Sequence, residues 1–400
     1  MHQIKTDISL ILNKSMSLIL ILILLLSLAL FLFACIKPFN PDIEEENINK
    51  LVVSGKITGQ EGWQEVNIST AAPVGAAEYL PVSGCEVTVQ DDEGNQYLFE
   101  EASSGSYKAW IGQENLVPGT AFMVSVITPE GERIESAYDT LTSGPEMDSV
   151  YYFIENVATS DPGVFATRMQ FYVDLNASEN DARTYKWEVK ETWEYHSVHP
   201  LEYYYDGKFH EVRPPDYSKM ICWSNMMVKD VFLLSTKNNS VNAVQKHPLH
   251  FIDGHTSRLS VLYSILVSQQ AVSENTYNYF EVVKSNSGGF GGLYEQQPFS
   301  IKGNLVNKTS PEKDVLGYFY ACSESSKRYF YHDVEGIELD YWNQCNEDPL
   351  PLSGWQGFMK SQYPVYYYYN EDAALRILSD ECVDCRVRGG TLTKPDFWPN

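Results

Sequence analysis

The sequence predicts a mainly β protein. We expect an N-terminal immunoglobulin-like or transthyretin-like sandwich, then a second, larger β-sandwich with one helix and a disulfide-pinned, loop-rich C-terminal tail. From Leu51 onward, short runs alternate apolar and polar residues and stop at turn residues, which is typical of strands. One later segment has the apolar spacing of an amphipathic helix. Four of the seven cysteines lie between residues 322 and 385, which indicates local cross-linking of the tail.

Residues 1–35 are expected to be a lipoprotein signal peptide rather than part of the fold. Leu18–Ala34 is a run of 17 uncharged residues, preceded by Lys5 and Lys14 and followed at once by Cys35. A basic start, an apolar stretch and a small residue before the cut describe a secretory signal. The letters LFAC resemble the bacterial lipobox, whose cysteine is acylated. The competing interpretation is an uncleaved signal-anchor, since the run is long enough to span a bilayer as a helix.

Residues 36–50 predict an acidic, extended tether between the lipid and the first strand. They contain two prolines and a cluster of four acids at positions 42, 44, 45 and 46. The two or three acyl chains of a bacterial lipoprotein cysteine hold a protein stably on a bilayer without a spanning helix. The acidic cluster also resembles the surface-export signal of some Gram-negative lipoproteins; the alternative is a plain linker.

The charge of the chain excludes two classes of partner. The 400 residues carry a formal net charge of −24, and loss of Lys5, Lys14 and Asp7 with the leader makes it −25. No basic patch is available to release counterions from phosphates, so we expect no nucleic-acid binding. Flat adhesion to anionic lipid is disfavoured for the same reason.

Residues 51–145 predict the first sandwich. The stretch CEVTVQDDEGNQYLFEE (85–101) is a hairpin whose strands flank a turn at residues 92–95. A second turn at residues 129–131 completes about seven strands by Leu141, a number that fits such a sandwich. Residues 143–149, SGPEMDS, are expected to be the linker.

Residues 146–400 predict the second β domain. Long strands rich in aromatic and β-branched residues follow Val150. Ser273 is expected to cap one helix over ENTYNYFEVVKSN, ended by Gly288-Gly289. We expect residues 314–323 and 326–334 to form a closing hairpin, and the chain to become loop-rich from about Glu338.

The cysteines predict disulfides but not their pairing. With Cys35 acylated, six remain, and six cysteines allow 15 pairings. The CxxC at Cys382 and Cys385 lacks the strand-to-helix context of a redox motif and the second ligand pair of a zinc site. We therefore expect it to reach back to Cys345, Cys322 or Cys222 and to pin the tail, with Phe397 and Trp398 as a hydrophobic plug. Cys85 is expected to be free and buried.

Enzyme motifs are missing from the sequence, which contains no GxSxG, HExxH, P-loop or GxGxxG opening a helix. The paired acids Asp91-Asp92 and Glu188 with Glu191 are the kind that any acidic chain contains. The histidines of HSVH (196–199) and HPLH (247–250) are expected to be polar loop residues. We therefore predict no enzyme, no cofactor and no metal site.

Two aromatic stretches are the candidate binding residues. LEYYYDG and QYPVYYYYNED carry runs of tyrosine that look too aromatic for ordinary loops. Exposed tyrosines offer large, rigid contact areas. The alternative is that they pack inward. The candidates are Tyr203, Tyr204, Tyr205, Tyr366, Tyr367, Tyr368 and Tyr369.

Several motifs together resemble a bacterial lipoprotein family known as domain of unknown function 4249. They are CVDCRVRGGTLTKPDFW at the C-terminus, CW at 222–223, LSVLYSILVSQQAVSENTYNYFEVVKSN, GGLYEQQPFSIKGNL and VLGYFYACSESSKRYFY. The resemblance implies an outer-membrane lipoprotein, commonly encoded beside a TonB-dependent receptor, and implies no catalytic residues. Cys85 and Cys322 fall outside the family's pattern, which leaves Cys222, Cys345, Cys382 and Cys385 as the candidate disulfide residues.

These observations lead to one expected function and two alternatives. We expect a lipid-anchored outer-membrane protein, on the cell-surface or the periplasmic face, that partners a TonB-dependent transporter in nutrient uptake. The first alternative is a stand-alone adhesin that binds a glycan or a peptide. The second is a hydrolase with an unrecognised site. The sequence does not identify the ligand.

Overall fold

The computed structural model describes residues 50–72, 79–159, 163–287, 301–339 and 345–399, and the statements below concern these residues. The predicted mainly β class is confirmed. The predicted signal peptide with Cys35, the tether up to residue 49 and the glycines at 288–289 lie outside the described residues. None of the described helices is long and apolar enough to cross a membrane.

The strands before the predicted linker are short and alternate in burial. They are β1 (Leu51–Thr58), β2 (Gly62–Thr70), β3 (Leu80–Pro81), β4 (Glu86–Asp91), β5 (Gln96–Ser103), β6 (Ser106–Ile111), β7 (Ala121–Ile127), β8 (Arg133–Ser136) and β9 (Asp139–Thr140). The predicted hairpin over residues 85–101 is confirmed as β4 and β5.

The strands after the linker include the five longest of the structure, and those of the tail are short. In chain order, the strands after the linker are β10 (Val150–Ala158), β11 (Phe165–Asn176), β12 (Thr184–His196), β13 (Leu201–Tyr205), β14 (Phe209–Asp216), β15 (Ile221–Met227), β16 (Phe232–Ser235), β17 (Ala243–Asp253), β18 (Leu262–Val272), β19 (Leu305–Asn307), β20 (Phe319–Tyr331), β21 (Glu347–Pro349), β22 (Val365–Tyr369) and β23 (Leu375–Leu378). The five longest are β11, β12, β17, β18 and β20.

The described helical segments are one α-helix and six short 3-10 turns. The α-helix is α1 (Glu274–Ser287), and the Oγ of Ser273 accepts a hydrogen bond from the N–H of Thr276 at 3.2 Å, which confirms the predicted cap. The 3-10 turns are Gln113–Asn115, Ser257–Leu259, Gly354–Gly357, Lys360–Gln362, Asp380–Cys382 and Cys385–Arg388.

One long sheet connects the N-terminal strands to the later ones. Its order is β15-β12-β18-β20-β1-β2-β6-β5, and it continues through β5 into β4-β7-β8-β19. The join is parallel: Gly55 of β1 lies beside Phe319 of β20. Gly317 fits this close approach because a Cβ there would lie 2.0 Å from the carbonyl oxygen of Val53.

Two hydrophobic cores lie on the same face of this long sheet. In β20, Phe319 and Ala321 belong to the first core, whereas Tyr329 and Tyr331 pack against the second. Side chains an even number of positions apart along a strand share a face. The sheet β4-β7-β8-β19 closes the first core, and the sheet β10-β11-β17 closes the second.

The predicted domain boundary at residues 145 and 146 stays a prediction. The first core contains side chains from before the boundary and also Leu305, Val315, Phe319 and Ala321 from far beyond it. The chain therefore returns to complete the N-terminal sandwich. The segment between the two predicted domains packs against the long sheet, since Met147 is 2 % exposed and its N–H donates to the Ser325 Oγ at 3.0 Å.

The predicted closing hairpin is wrong: residues 319–331 are one continuous strand, β20. The polar residues in the middle of this segment are typical of a turn. Instead these side chains meet polar partners on β18: the Ser268 and Ser326 hydroxyls lie 2.7 Å apart, and the Gln270 Nε2 donates to Glu324 at 2.8 Å. Because the partners satisfy each other, the strand passes from the first core to the second without interruption.

The other face of the long sheet, here called the open face, carries charged and aromatic side chains. It is defined by Lys56, Lys186, Glu188, Gln270, Tyr320 and Glu324. Helix α1 covers part of it, with Tyr279 and Phe280 packed against Tyr318 and Tyr320. The polar residues of the strands are therefore partly shielded from water.

Candidate functional site

The two tyrosine-rich stretches lie side by side as strands. β13 pairs antiparallel with β22, so that Tyr203 lies opposite Tyr367 and Tyr204 opposite Tyr366. They belong to a five-stranded sheet of order β14-β13-β22-β23-β21. The expectation of aromatic loops is wrong, because consecutive tyrosines favour a strand and alternate between its two faces.

One face of this sheet carries a continuous group of rings, here called the aromatic cluster. It consists of Tyr203, Tyr205, Phe209, Trp355, Tyr363, Tyr367 and Tyr369. The Trp355 ring packs between two others, with its centroid 5.0 Å from those of Tyr205 and Tyr367. Tyr367 is 5 % exposed, whereas Phe209 and Tyr369 at the rim are 61 % and 52 % exposed. The cluster thus has a packed centre and an open edge.

On the opposite face of the same sheet, the tyrosines contact histidine and carboxylate side chains. Tyr204 stacks on His210 with ring centroids 4.4 Å apart, and Tyr368 packs on His199 at 4.2 Å. The Tyr368 hydroxyl donates to Glu347, and His199 Nε2 lies 3.0 Å from the same carboxylate. The hydrogen bond from Tyr368 and then that from His199 lower the pKa of Glu347. These contacts fix the sheet rather than leave it open.

His199, Cys345 and Glu347 place three potential metal ligands within reach of one another. A zinc site needs the thiolate of its cysteine. Cys345 is bonded to Cys382 and has no thiolate to offer. The group does not provide the donors that a metal centre of this type requires.

One disulfide joins the tail to the long sheet and a second closes a loop within the tail. Cys222 of β15 is bonded to Cys385, and Cys345 to Cys382, so the two cysteines of the CxxC motif have different partners. The Tyr195 hydroxyl donates to the Cys385 carbonyl at 2.9 Å beside the first bridge. Cys85 and Cys322 are free and buried.

The end of the tail packs along the edge of the long sheet. Thr391 and Trp223 exchange two backbone hydrogen bonds of 2.9 Å. The Trp398 Nε1 donates to Glu194 at 2.9 Å, and its side chain is 5 % exposed. Of the predicted plug, Trp398 is buried, while Phe397 is 42 % exposed and lies under the Arg328 guanidinium.

A network of four charged side chains lies on the open face; we call it the Lys–Glu network. Lys56 of β1 donates to Glu188 of β12 at 2.8 Å and to Glu324 of β20 at 2.7 Å. Lys186 also donates to Glu188, and to Gln270 and the Tyr320 hydroxyl at 3.2 Å each. Strand alternation puts these groups together, because each lies on the face opposite the two cores.

The contacts within the Lys–Glu network and its burial shift the pKa values of its side chains. Burial alone would raise the pKa of Glu188, but the charges of Lys186 and Lys56 outweigh it and lower this pKa to about 2. Burial would lower the pKa of Lys56, yet Glu188 and Glu324 raise it above its ordinary value. Burial lowers the pKa of Lys186 despite the adjacent Glu188. Glu188 is therefore a carboxylate throughout the physiological range.

A cleft of about 520 Å³ opens above the Lys–Glu network. Helix α1 forms one wall with Tyr279 and Phe280. Strand β2 lines the cleft with three residues of its open face, Trp63, Glu65 and Asn67. The cleft falls within the range of about 300–1,000 Å³ that small-molecule sites occupy.

Trp63 stands at the mouth of this cleft with 67 % of its surface exposed. Trp110 of the neighbouring strand β6 lies directly opposite and packs edge-on against it, with ring centroids 5.8 Å apart and an interplanar angle of 85°. Trp110 is itself 56 % exposed. The two exposed rings therefore extend the apolar lining of the cleft along the sheet.

The acid pairs singled out in the sequence do not form two-carboxylate sites. Glu188 and Glu191 point to opposite faces of β12. Glu191 is fully buried in the second core, where it accepts hydrogen bonds from Arg258 at 3.0 Å and Tyr263 at 2.9 Å. Asp91 accepts from the Asn95 N–H at 2.8 Å and closes the β4–β5 turn.

The prediction of loop histidines is wrong for three of them. His247 and His250 lie in β17, and His196 ends β12. His250 lies 3.1 Å from the buried Glu191. His247 packs on Trp187 with ring centroids 5.0 Å apart, and burial lowers its pKa to about 4. These histidines are held in structural contacts.

The Lys–Glu network and the cleft were missed in the sequence. One local signal exists: Lys186 and Glu188 stand two residues apart on either side of Trp187, which puts both charges on one face of the strand. Their partners Lys56 and Glu324 come from strands more than 100 residues away, so no local pattern joins them.

The sequence matches the family described as Domain of unknown function (DUF4249) over residues 36–328. The chain belongs to this family. The match covers most of the chain and ends before the last 72 residues, which contain three of the four disulfide cysteines. This family membership agrees with the resemblance noted in the sequence and adds no catalytic residue.

Comparisons with other proteins add little about this DUF4249 member. No curated protein matches it. One similar solved structure is trypsin activated alpha-2-macroglobulin from Escherichia coli, with a TM-score of 0.19 and 9 % identity. The match covers 57 % of this chain and 15 % of that chain. The likeness is too weak to carry an argument about function.

Proposed function

We propose that this DUF4249 member is a lipid-anchored outer-membrane protein that binds a TonB-dependent transporter and acts in nutrient uptake by recognition, without catalysis. The observation that carries the proposal is the open edge of the aromatic cluster. Acylated Cys35 and the acidic tether would hold the protein at high local concentration beside its partner.

The open edge has the composition of a protein-binding surface. Phe209 and Tyr369 are more than half exposed. Leu352 and Met359, which flank Trp355 in the sequence, are fully exposed and 67 % exposed. Aromatic residues and methionine are enriched at interfaces. Since the rings of Tyr367 and Trp355 hold the exposed ones in place, little side-chain entropy is lost on binding. These features support binding through this face.

The state of the open-face carboxylates supports recognition over hydrolysis. A glycoside hydrolase needs one carboxylic acid with a raised pKa to protonate the leaving group. The pKa of Glu188 is instead lowered to about 2, and Glu324 is engaged by Lys56. A carboxylate held by two lysines is a poor proton donor.

Affinity purification from detergent-solubilised envelopes tests the proposal. We expect the tagged full-length protein to recover a TonB-dependent barrel, and the double variant Phe209→Ser, Tyr369→Ser to lose it. The matched control is Phe165→Ser, since Phe165 is 66 % exposed outside the aromatic cluster. Recovery of the intact lipoprotein with no barrel would contradict the partnership and favour the stand-alone adhesin. Equal recovery by the double variant would contradict the assigned surface.

A further inference from the structure

The cleft on the open face has no assigned occupant, and its chemistry defines the class of ligand that fits. It shares no residue with the aromatic cluster. A ligand entering it meets three kinds of group: paired charges on the floor, aromatic rings on the walls and a bare indole at the mouth.

The charged side chains of the cleft are paired with one another or with a neighbour, so none is unpaired to bind an ionic ligand. Lys56 and Lys186 are engaged by Glu188 and Glu324, as described above. Glu65 of β2 lies 3.4 Å from Lys108 and accepts a hydrogen bond from Ser106 at 2.8 Å. A phosphate or a free carboxylate would have to displace one of these carboxylates. The floor therefore disfavours anions and offers a cation no free carboxylate.

The same groups still offer hydrogen bonds to a neutral ligand. A carboxylate has about four lone-pair sites and an ammonium three N–H groups. Lys186 has three partners and no N–H group to spare, but Lys56 has two partners and keeps one N–H group, and the carboxylate of Glu188 keeps a lone pair. The Lys56 and Glu188 side chains each keep 29 % of their surface exposed. Asn67 adds an amide, which both donates and accepts. Hydroxyl groups, which also donate and accept, match this floor.

The mouth of the cleft requires a ligand with a flat apolar face. The Trp63 and Trp110 rings meet at 85° rather than stacking face to face, and Trp63 keeps 67 % of its surface exposed to water. An exposed indole gains free energy when an apolar surface covers it. Trp63, Glu65 and Asn67 alternate along one face of β2, so an apolar ring face and polar edge groups are presented together.

We propose that this cleft binds a neutral saccharide, with one sugar ring stacked on Trp63 and its hydroxyls bound by Asn67 and the Lys–Glu network. A pyranose has both required features, an apolar C–H face and an edge of hydroxyls. The volume of about 520 Å³ accommodates a short oligosaccharide segment. The inference stands whether or not the aromatic cluster binds a transporter.

Saturation-transfer NMR on the full-length lipoprotein tests the inference. The detergent must be free of sugar, for example an amine oxide, because a maltoside would compete. The probes are neutral gluco-, xylo-, manno- and galacto-oligosaccharides, with uronic-acid oligosaccharides and inorganic phosphate as charged counterparts. We expect at least one neutral probe to bind at millimolar concentration. Binding of charged probes alone, or of none, overturns the proposal.

Variants assign the binding to the cleft. Trp63→Ala and Asn67→Ala are each expected to weaken binding of the neutral probe by about tenfold or more. Phe165→Ala, at 66 % exposure in β11, is the matched control and should bind as the parent protein does. Thermal unfolding of each variant establishes that the fold is retained. Unchanged affinity in a folded Trp63→Ala variant overturns the assignment of the site.

Discussion

Replacement of Glu188 by glutamine tests the Lys–Glu network most sharply. The substitution keeps the shape of the side chain and removes only its charge. The pKa of Glu188 lies at about 2 in the folded protein, against an ordinary value of 4.5. Each pKa unit corresponds to about 1.36 kcal/mol, so the ionised side chain stabilises the fold by about 3 kcal/mol at neutral pH. This agrees with the cost of about 3–5 kcal/mol of removing one partner from a buried ion pair.

The sign of the pH dependence follows from the lowered pKa. A carboxylate whose pKa is depressed by folding contributes its full stability above its unfolded pKa and loses it as the pH falls through the folded pKa. The difference between the parent protein and Glu188→Gln should therefore be about 3 kcal/mol at pH 7 and roughly half of that or less at pH 3.

Urea unfolding of the two proteins at pH 7 and pH 3, followed by circular dichroism, measures this difference. The matched control is Glu100→Gln, an exposed strand residue of β5, which should change the free energy of unfolding by less than about 0.5 kcal/mol. A Glu188→Gln variant as stable as the parent at pH 7 would refute the reasoning. A difference that stays constant down to pH 3 would show that shape, rather than charge, is responsible.

Three further outcomes are expected. The Cys345–Cys382 bridge joins residues 37 positions apart. Its loss in Cys382→Ala should lower the free energy of unfolding by about 4 kcal/mol, measured by urea unfolding without reductant. Gly317→Ala should destabilise the fold by well over the cost of about 1 kcal/mol expected for Gly119→Ala. Both glycines have positive φ, but only a Cβ at position 317 would meet backbone atoms. Equal melting temperatures of the two variants would contradict this. Burial raises the pKa of the Cys322 thiol to about 12, so iodoacetamide at pH 8 should label it only in denaturant, as peptide mass spectrometry would detect.

Local patterns predicted the elements whose information is local. Apolar and polar residues alternate at the period of a strand in β1, β4 and β5, and Ser273 caps α1 as its sequence indicates. The same approach failed at β20. Its central Ser and Glu residues look like a turn until β18 supplies their partners, and that pairing depends on the register of distant strands.

In the candidate site, too, local patterns were readable from the sequence and contacts between distant strands were not. Composition alone drew attention to the tyrosines. Their arrangement on two faces of one sheet depends on the pairing of β13 with β22, whose paired residues are 160 or more positions apart in the sequence. The Lys–Glu network joins β1, β12, β18 and β20. No single segment carries enough of it to be recognised, because each residue alone is an ordinary charge on an acidic chain.

Site-specific photo-crosslinking in intact cells tests most directly whether this protein works by binding a transporter through the aromatic cluster. A benzophenone amino acid would replace Tyr369 at the open edge, and Phe165 in a separate experiment as the exposed control. Our account predicts a covalent adduct with a TonB-dependent barrel from position 369 and none from position 165. Adducts from both positions alike, or none from position 369 in cells that contain the protein in the membrane fraction, would contradict it.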